Sequence, residues 1–104
     1  MFTKLNDDQD VFKYTNGTSF KDYLKNVTFH KLVEVLGSPT FEEPSGDDKI
    51  QKEWVFLDEK GNGFTLYDWK TYDEDYTINN LTEWNIGSRV NADHFLMWLE
   101  QRLK

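Results

Sequence analysis

The chain has 104 residues, a formal net charge of −7, no cysteine and seventeen aromatic side chains, four of them tryptophan. That length suits one domain, 1–104, and the aromatics supply a core without a disulfide or metal staple. Thiolate chemistry is excluded, general binding to a phosphate backbone is disfavoured by the charge, and no apolar run approaches the ~20 residues of a membrane span.

Residues 1–10 are polar and acidic and read as a loosely held lead-in, with Phe2 and Leu5 tucked against the body. They lack the apolar core of a secretion signal, so a cytoplasmic location is expected. Val11 to Tyr14 reads as a short strand, and Asn16-Gly17 as the turn into a second strand over Thr18 to Lys25; a helix from Ser19 is the competing reading there. The spacing over Thr28 to Gly37 predicts a helix. Thr28 caps it, Phe29, Leu32, Val33 and Leu36 form its apolar stripe, Gly37 ends it in the left-handed conformation, and Pro39 stops continuation. A loop over Ser38 to Asp48 then leads to the most strongly patterned stretch in the chain.

Lys49 to Leu57 and Phe64 to Lys70 alternate as the arms of a β-hairpin about Gly61-Asn62-Gly63. Ile50, Trp54, Phe56, Phe64 and Leu66 share a face that should be core, while Val55, Leu57, Thr65, Tyr67 and Trp69 give the opposite face too much apolar area to leave in water. Thr71 to Tyr76 reads as an exposed acidic connector. Glu83 to Gly87 follows as a strand with Trp84 and Ile86 on one side. The last helix begins near Asn91, with Phe95, Leu96, Leu99 and Leu103 on its apolar face, widened by Trp98. The expected fold is α+β: an antiparallel sheet of about five strands with two helices packed on it, in the order β-β-α-β-β-β-α.

Catalytic signatures are scarce. His30 and His94 lie on predicted helices without metal-site spacing, no serine has a nucleophile-elbow context, and Gly61-Asn62-Gly63 precedes a strand rather than a helix. Asp73, Glu74 and Asp75 lack the spacing of a calcium loop. Neither a metal nor another cofactor is expected. The aromatics are more suggestive: Tyr67 and Trp69 on the outer face of the hairpin, Lys70 at the strand end, Trp84 on the next strand and Arg89 after Gly87. Flat rings rimmed by cations are the means of gripping a nucleobase and its phosphate; the competing reading places the tryptophans in the core and leaves Lys70 merely solvated.

Asn16-Gly-Thr-Ser, Phe29-x-x-Leu-Val-Glu-Val-Leu-Gly-Ser-Pro-Thr40, Glu53-Trp54, Phe64-Thr-Leu-Tyr-Asp-Trp-Lys70 and Trp84-Asn-Ile-Gly87 together resemble a family of small single-domain proteins of tailed bacteriophages. The family's last motif more often reads Trp-His-Ile-Gly-Gly, so Asn85 stands where a histidine would be and Ser88 where the second glycine would be. An amide still exchanges hydrogen bonds, which favours binding over proton transfer. The resemblance implies a phage protein acting inside the host cell, and by extension a non-enzymatic anti-defence protein that sequesters a nucleotide immune signal. Tyr67, Trp69, Lys70, Trp84 and Arg89 would be its ligand-binding residues, and a homo-oligomer is one way to enclose the ligand. The other expectation is a host-protein partner. Thirteen Asp and Glu against four Lys between Leu32 and Ile86 suit an acidic inhibitor that mimics nucleic acid and blocks a host nucleic-acid enzyme. Neither expectation involves direct nucleic-acid or membrane binding.

Overall fold

A computed structural model describes residues 1–6 and 11–104. It is an α+β fold: strands β1 (Thr3–Lys4), β2 (Ser19–Lys25), β3 (Glu53–Leu57), β4 (Gly63–Tyr67) and β5 (Glu83–Ser88) form one antiparallel sheet in the order β1-β3-β4-β5-β2. Helices α1 (Phe12–Thr15), α2 (Phe29–Leu36), α3 (Glu74–Asn79) and α4 (Asp93–Arg102) complete the described residues. No helix among them is long and apolar enough to cross a membrane.

Alternation places the core where the hairpin pattern predicts it. Trp54 pairs with Leu66 and Phe56 with Phe64, and Leu66 pairs onward with Ile86, so one face carries an unbroken apolar surface. Leu32 of α2 and Phe95 and Leu99 of α4 close over it, all fully buried. The α2 stripe follows from its ends: Thr28 Oγ1 accepts from Lys31 N at 3.2 Å, and Gly37 holds φ +85°, a conformation costly for any residue with a Cβ.

The other face is half covered. Leu5, Val11 and Val55 form a small buried cluster flanked by Tyr14, Phe41 and Leu57. This corrects the reading of Val11 to Tyr14 as a strand: these residues belong to the helical turn of α1, closed by Tyr14 N to Val11 O at 2.9 Å and Asn16 N to Phe12 O at 2.9 Å. Residues 11 and 14 are spaced for one face of a helix, and that face packs on the sheet. They add no strand beside β2, which pairs with β5, and the β3 edge is taken by Thr3–Lys4, paired with Leu57 and Phe56. Phe2 and Leu5 pack against the body, as expected, and Thr3–Lys4 between them adds an edge strand that the sequence reading lacks; Phe2 meets Phe64, Phe95 and Trp98 edge-on or tilted at 5.1–5.3 Å. Residues 7–10, the rest of the expected lead-in, lie outside the described residues.

The hairpin and the connector after it each need a further correction. Residues 49–52 lie outside β3, and Ile50 is half-buried away from the main core. Helix α3 begins inside the acidic connector, and its cap is Asp73 Oδ1 accepting from Tyr76 N at 3.3 Å. Glu74 and Asp75 in its first turn oppose the positive end of the helix dipole, so the described residues hold four helices rather than two.

Gly63 is required by close approach. A Cβ built there would overlap the Tyr14 carbonyl, whose carbon lies at 2.9 Å. Gly63→Ala should push α1 off β4 and destabilise the protein by about 2 kcal/mol, measurable by urea denaturation; an unchanged midpoint would show that α1 yields freely.

Candidate functional site

β4 ends because of Asp68. Its carboxylate is fully buried yet saturated: Oδ1 accepts from Gln51 N at 2.7 Å and Lys52 N at 2.9 Å, and Oδ2 from Thr71 Oγ1 at 3.1 Å and Thr77 Oγ1 at 2.8 Å. One side chain thus ties the approach to β3, the turn after β4 and α3 together. The turn it holds contains two non-glycine residues in the left-handed region, Lys70 at φ +58° and Tyr72 at φ +55°. Such conformations cost of order 1 kcal/mol or more each and persist where surrounding bonds over-determine them. Lys70 N donating to Lys49 O at 2.7 Å is one such bond.

The product of this scaffold is an open indole. Trp69 is 45% exposed, with Lys70 Nζ 5.5 Å and Lys49 Nζ 6.0 Å from its ring centroid. Tyr67 stands edge-on to it at 6.2 Å and 82°. The row behind Tyr67 runs across the sheet as Glu53, Tyr67, Asn85 and Tyr23, each paired directly with the next. Burial pushes the Tyr67 hydroxyl above its ordinary pKa against a lowering hydrogen bond with Asn85, with Glu53 and Tyr23 adding to the rise. Tyr67 is accordingly a neutral hydrogen-bonding group at physiological pH. Farther along the same face, the exposed rings of Phe20 and Tyr23 lie 4.7 Å apart, and Lys25 Nζ is 5.9 Å from the Tyr23 centroid.

No family model, curated protein or solved structure matches the chain.

Of the five residues expected from sequence, Tyr67, Trp69 and Lys70 come together and two do not. Trp84 is fully buried in the main core, where its Nε1 donates to Val27 O at 2.9 Å and its ring meets Trp54 edge-on at 5.7 Å. The register explains this: Tyr67 faces Asn85, so its neighbour Trp84 necessarily points to the opposite side. Arg89 is at the wrong end of the sheet. β5 runs antiparallel to β4, with Ser88 opposite Phe64, so about 10 Å of strand separates Arg89's end from Tyr67. Its guanidinium instead clasps α1, with Nη2 donating to Lys13 O at 2.9 Å and Nε to Asn16 O.

Three contributors are absent from the sequence expectation. Lys49, expected in a strand, lies in the turn that brings its ammonium to Trp69. Asn85 stands out in the sequence only as a departure from the family pattern. Asp68 carries a legible signal: it shares alternation parity with Phe64 and Leu66, and a carboxylate on the core side of a strand needs a set of buried donors. His30 and His94 stand exposed on α2 and α4.

Proposed function

We propose that this protein binds a nucleotide-type ligand on the aromatic end of its open sheet face, the base stacking on Trp69 and the phosphates meeting Lys49 and Lys70. The observation that carries this reading is the exposed Trp69 ring with two ammonium groups over it, presented on a turn fixed by a buried carboxylate. Preorganisation lowers the ordering cost of binding, and stacking on such a ring contributes about 1–3 kcal/mol per base. Tyr67 and Asn85 supply polar tips for the base edge or sugar. The phage resemblance gives the biological setting: sequestration, without turnover, of a nucleotide signal raised by the host's defence.

Calorimetry against linear and cyclic mono- and dinucleotides tests it, with the ligand recovered and analysed afterwards. Trp69→Ala should weaken binding roughly ten- to a hundredfold, Lys70→Ala should weaken it in a salt-dependent way, and the nucleotide should be recovered intact. Absence of binding at millimolar nucleotide, or binding indifferent to both substitutions, would defeat the reading. A second reading is favoured by the exposed carboxylates of Asp73, Glu74 and Asp75 at the start of α3: an inhibitor presenting them as a phosphate mimic to a basic enzyme groove. It predicts salt-sensitive inhibition of a purified nuclease or polymerase by the nucleotide-free protein.

A further inference from the structure

A second feature on the same side of the sheet has the opposite electrostatic character. Between α1 and the loop of residues 41–46 lies a cleft of about 360 Å³, at the lower end of the ~300–1,000 Å³ typical of small-ligand sites. Its apolar walls are Phe12, Phe41, Pro44 and Ile50, with the Phe12 and Phe41 rings stacked at 5.9 Å. Phe12 is 75% exposed, so the apolar wall continues out onto the surface. Its charged lining is uniformly acidic: Glu42 and Glu43 from the loop and Glu53 from β3, with no lysine, arginine or histidine among the lining residues.

The cleft is already formed. Phe41 and Glu53 exchange backbone hydrogen bonds at 2.9 and 3.1 Å, Lys52 Nζ holds Glu42 O at 2.6 Å and Glu74 Oε2 at 2.8 Å, and Ser45 N donates to Ile50 O at 2.7 Å. Among the described residues, nothing in the fold provides Glu53 with a side-chain hydrogen bond or ion pair.

We propose that this cleft receives an arginine or lysine side chain from a partner protein, its methylene stem lying between the aromatic and proline walls and its charged head reaching Glu53, with Glu42 and Glu43 at hand. Charge complementarity selects the occupant. An anion would meet three carboxyl groups, and a purely apolar group would leave the half-buried Glu53 carboxyl desolvated and unpaired. No group of three possible metal ligands is close enough to hold an ion among the described residues. A long stem with a cationic end satisfies both walls and floor, as cations on aromatic faces beside carboxylates do. The exposed Phe12 ring favours a polypeptide over a free polyamine, because it offers contact to residues flanking the inserted side chain. The groups facing Glu53 are Tyr67 and the Asp68 charge from β4 and its end, and Glu42 and Glu43 from the loop; burial first, and Asp68 second, push its pKa up to about 7. The inference rests neither on the nucleotide reading of the Trp69 face nor on the inhibitor reading of α3.

The test uses the full chain at pH 8, titrated by NMR with a blocked peptide that has arginine between two leucines, with its glutamine counterpart, and with spermidine. The arginine peptide should shift the amide resonances of Phe41, Ile50 and Glu53 saturably and bind about tenfold more tightly than the other two probes. Glu53→Gln should weaken it by a similar factor while leaving resonances far from the cleft in place. Equal binding of the glutamine peptide, or no saturable shift at millimolar peptide, would overturn the proposal. Spermidine binding as tightly as the peptide would overturn the protein source and assign the cleft to free polyamines.

Discussion

Asp68→Ala is expected to destabilise the protein by about 3–5 kcal/mol, the range for deleting one partner of a buried charged network. The cost arises from the groups left behind. The amides of Gln51 and Lys52 lose their acceptor, and Asp68 itself is completely enclosed. Each orphaned donor costs about 1–3 kcal/mol. The hydroxyls of Thr71 and Thr77 lose less, because they lie 2.8 Å apart and one can donate to the other once the carboxylate is gone. Asp68→Asn separates charge from connectivity: the amide oxygen can serve Gln51 and Lys52 while the hydroxyls rotate to accept from its NH₂, so a cost of about 1–2 kcal/mol is expected. Chemical denaturation of both variants checks this, and an alanine variant within about 0.5 kcal/mol of the parent would show that the carboxylate does not tie these segments together. Because the same carboxylate holds the turn carrying Trp69, the nucleotide affinity proposed for that ring should fall in Asp68→Ala even under conditions where it remains folded.

The residues legible in the sequence are those whose neighbours are local or follow from alternation. Thr28, Gly37 and the stripe between them specify α2 within ten residues, and Trp54, Phe56, Phe64 and Leu66 specify the core face of the hairpin by period alone. Val11 to Tyr14 mislead because four residues fit both periods. The choice is made by Val11 and Tyr14 packing with Leu5 and Val55 and against Gly63 of β4, contacts with residues distant in sequence. The acids at 73–75 are exposed, as their charge suggests, but the same residues are a helix start, since Asp73 caps and Glu74 and Asp75 suit the dipole. For the site, Tyr67, Trp69 and Lys70 are nearly contiguous and stay together. Trp84 and Arg89 depend on register across β4 and β5, which sequence spacing does not reveal.

The two faces of the sheet also divide the chemistry. On the covered side, the two fully buried tryptophans spend their N–H groups internally, Trp54 Nε1 on Gly37 O and Trp84 Nε1 on Val27 O, both at 2.9 Å. Those rings therefore serve packing. On the open side the rings carry ammonium groups, and between them and the acidic cleft stands Glu53, the first member of the row that ends at Tyr23. An acidic cleft and a turn bearing two ammonium groups thus lie next to each other on one surface, with Lys49 adjoining Ile50 at their boundary.

Glu53→Gln should make the protein more stable at pH 8 by about 2–3 kcal/mol and leave it nearly unchanged at pH 4. Burial, then the Asp68 charge, lifts the Glu53 pKa from 4.5 to about 7. Below pH 4.5 the group is protonated whether the chain is folded or not, and its contribution to stability is fully present. Between pH 4.5 and 7 the unfolded chain gives up the proton while the folded chain keeps it, so the native state binds more protons and stability falls as pH rises. Above pH 7 the full loss, about 3 kcal/mol, persists. Glutamine cannot ionise, so the variant should lack this decline. The opposite trend comes from Asp47, Asp58 and Glu59, whose pKa values are lowered. The Ser45 hydroxyl leads at Asp47; burial opposes at Asp58 but the bonds from Asn62 and Lys60 outweigh it; the terminal ammonium leads at Glu59. These groups add stability above their unfolded pKa values and lose it as pH falls, in a window below the one Glu53 commands. Denaturation midpoints of parent and variant from pH 4 to 8 should therefore converge at the acid end and separate toward the basic end. Parallel curves would mean that Glu53 is solvated in the folded protein, and the carboxyl proposed for the floor of the cleft would have lost its reason to seek a cation.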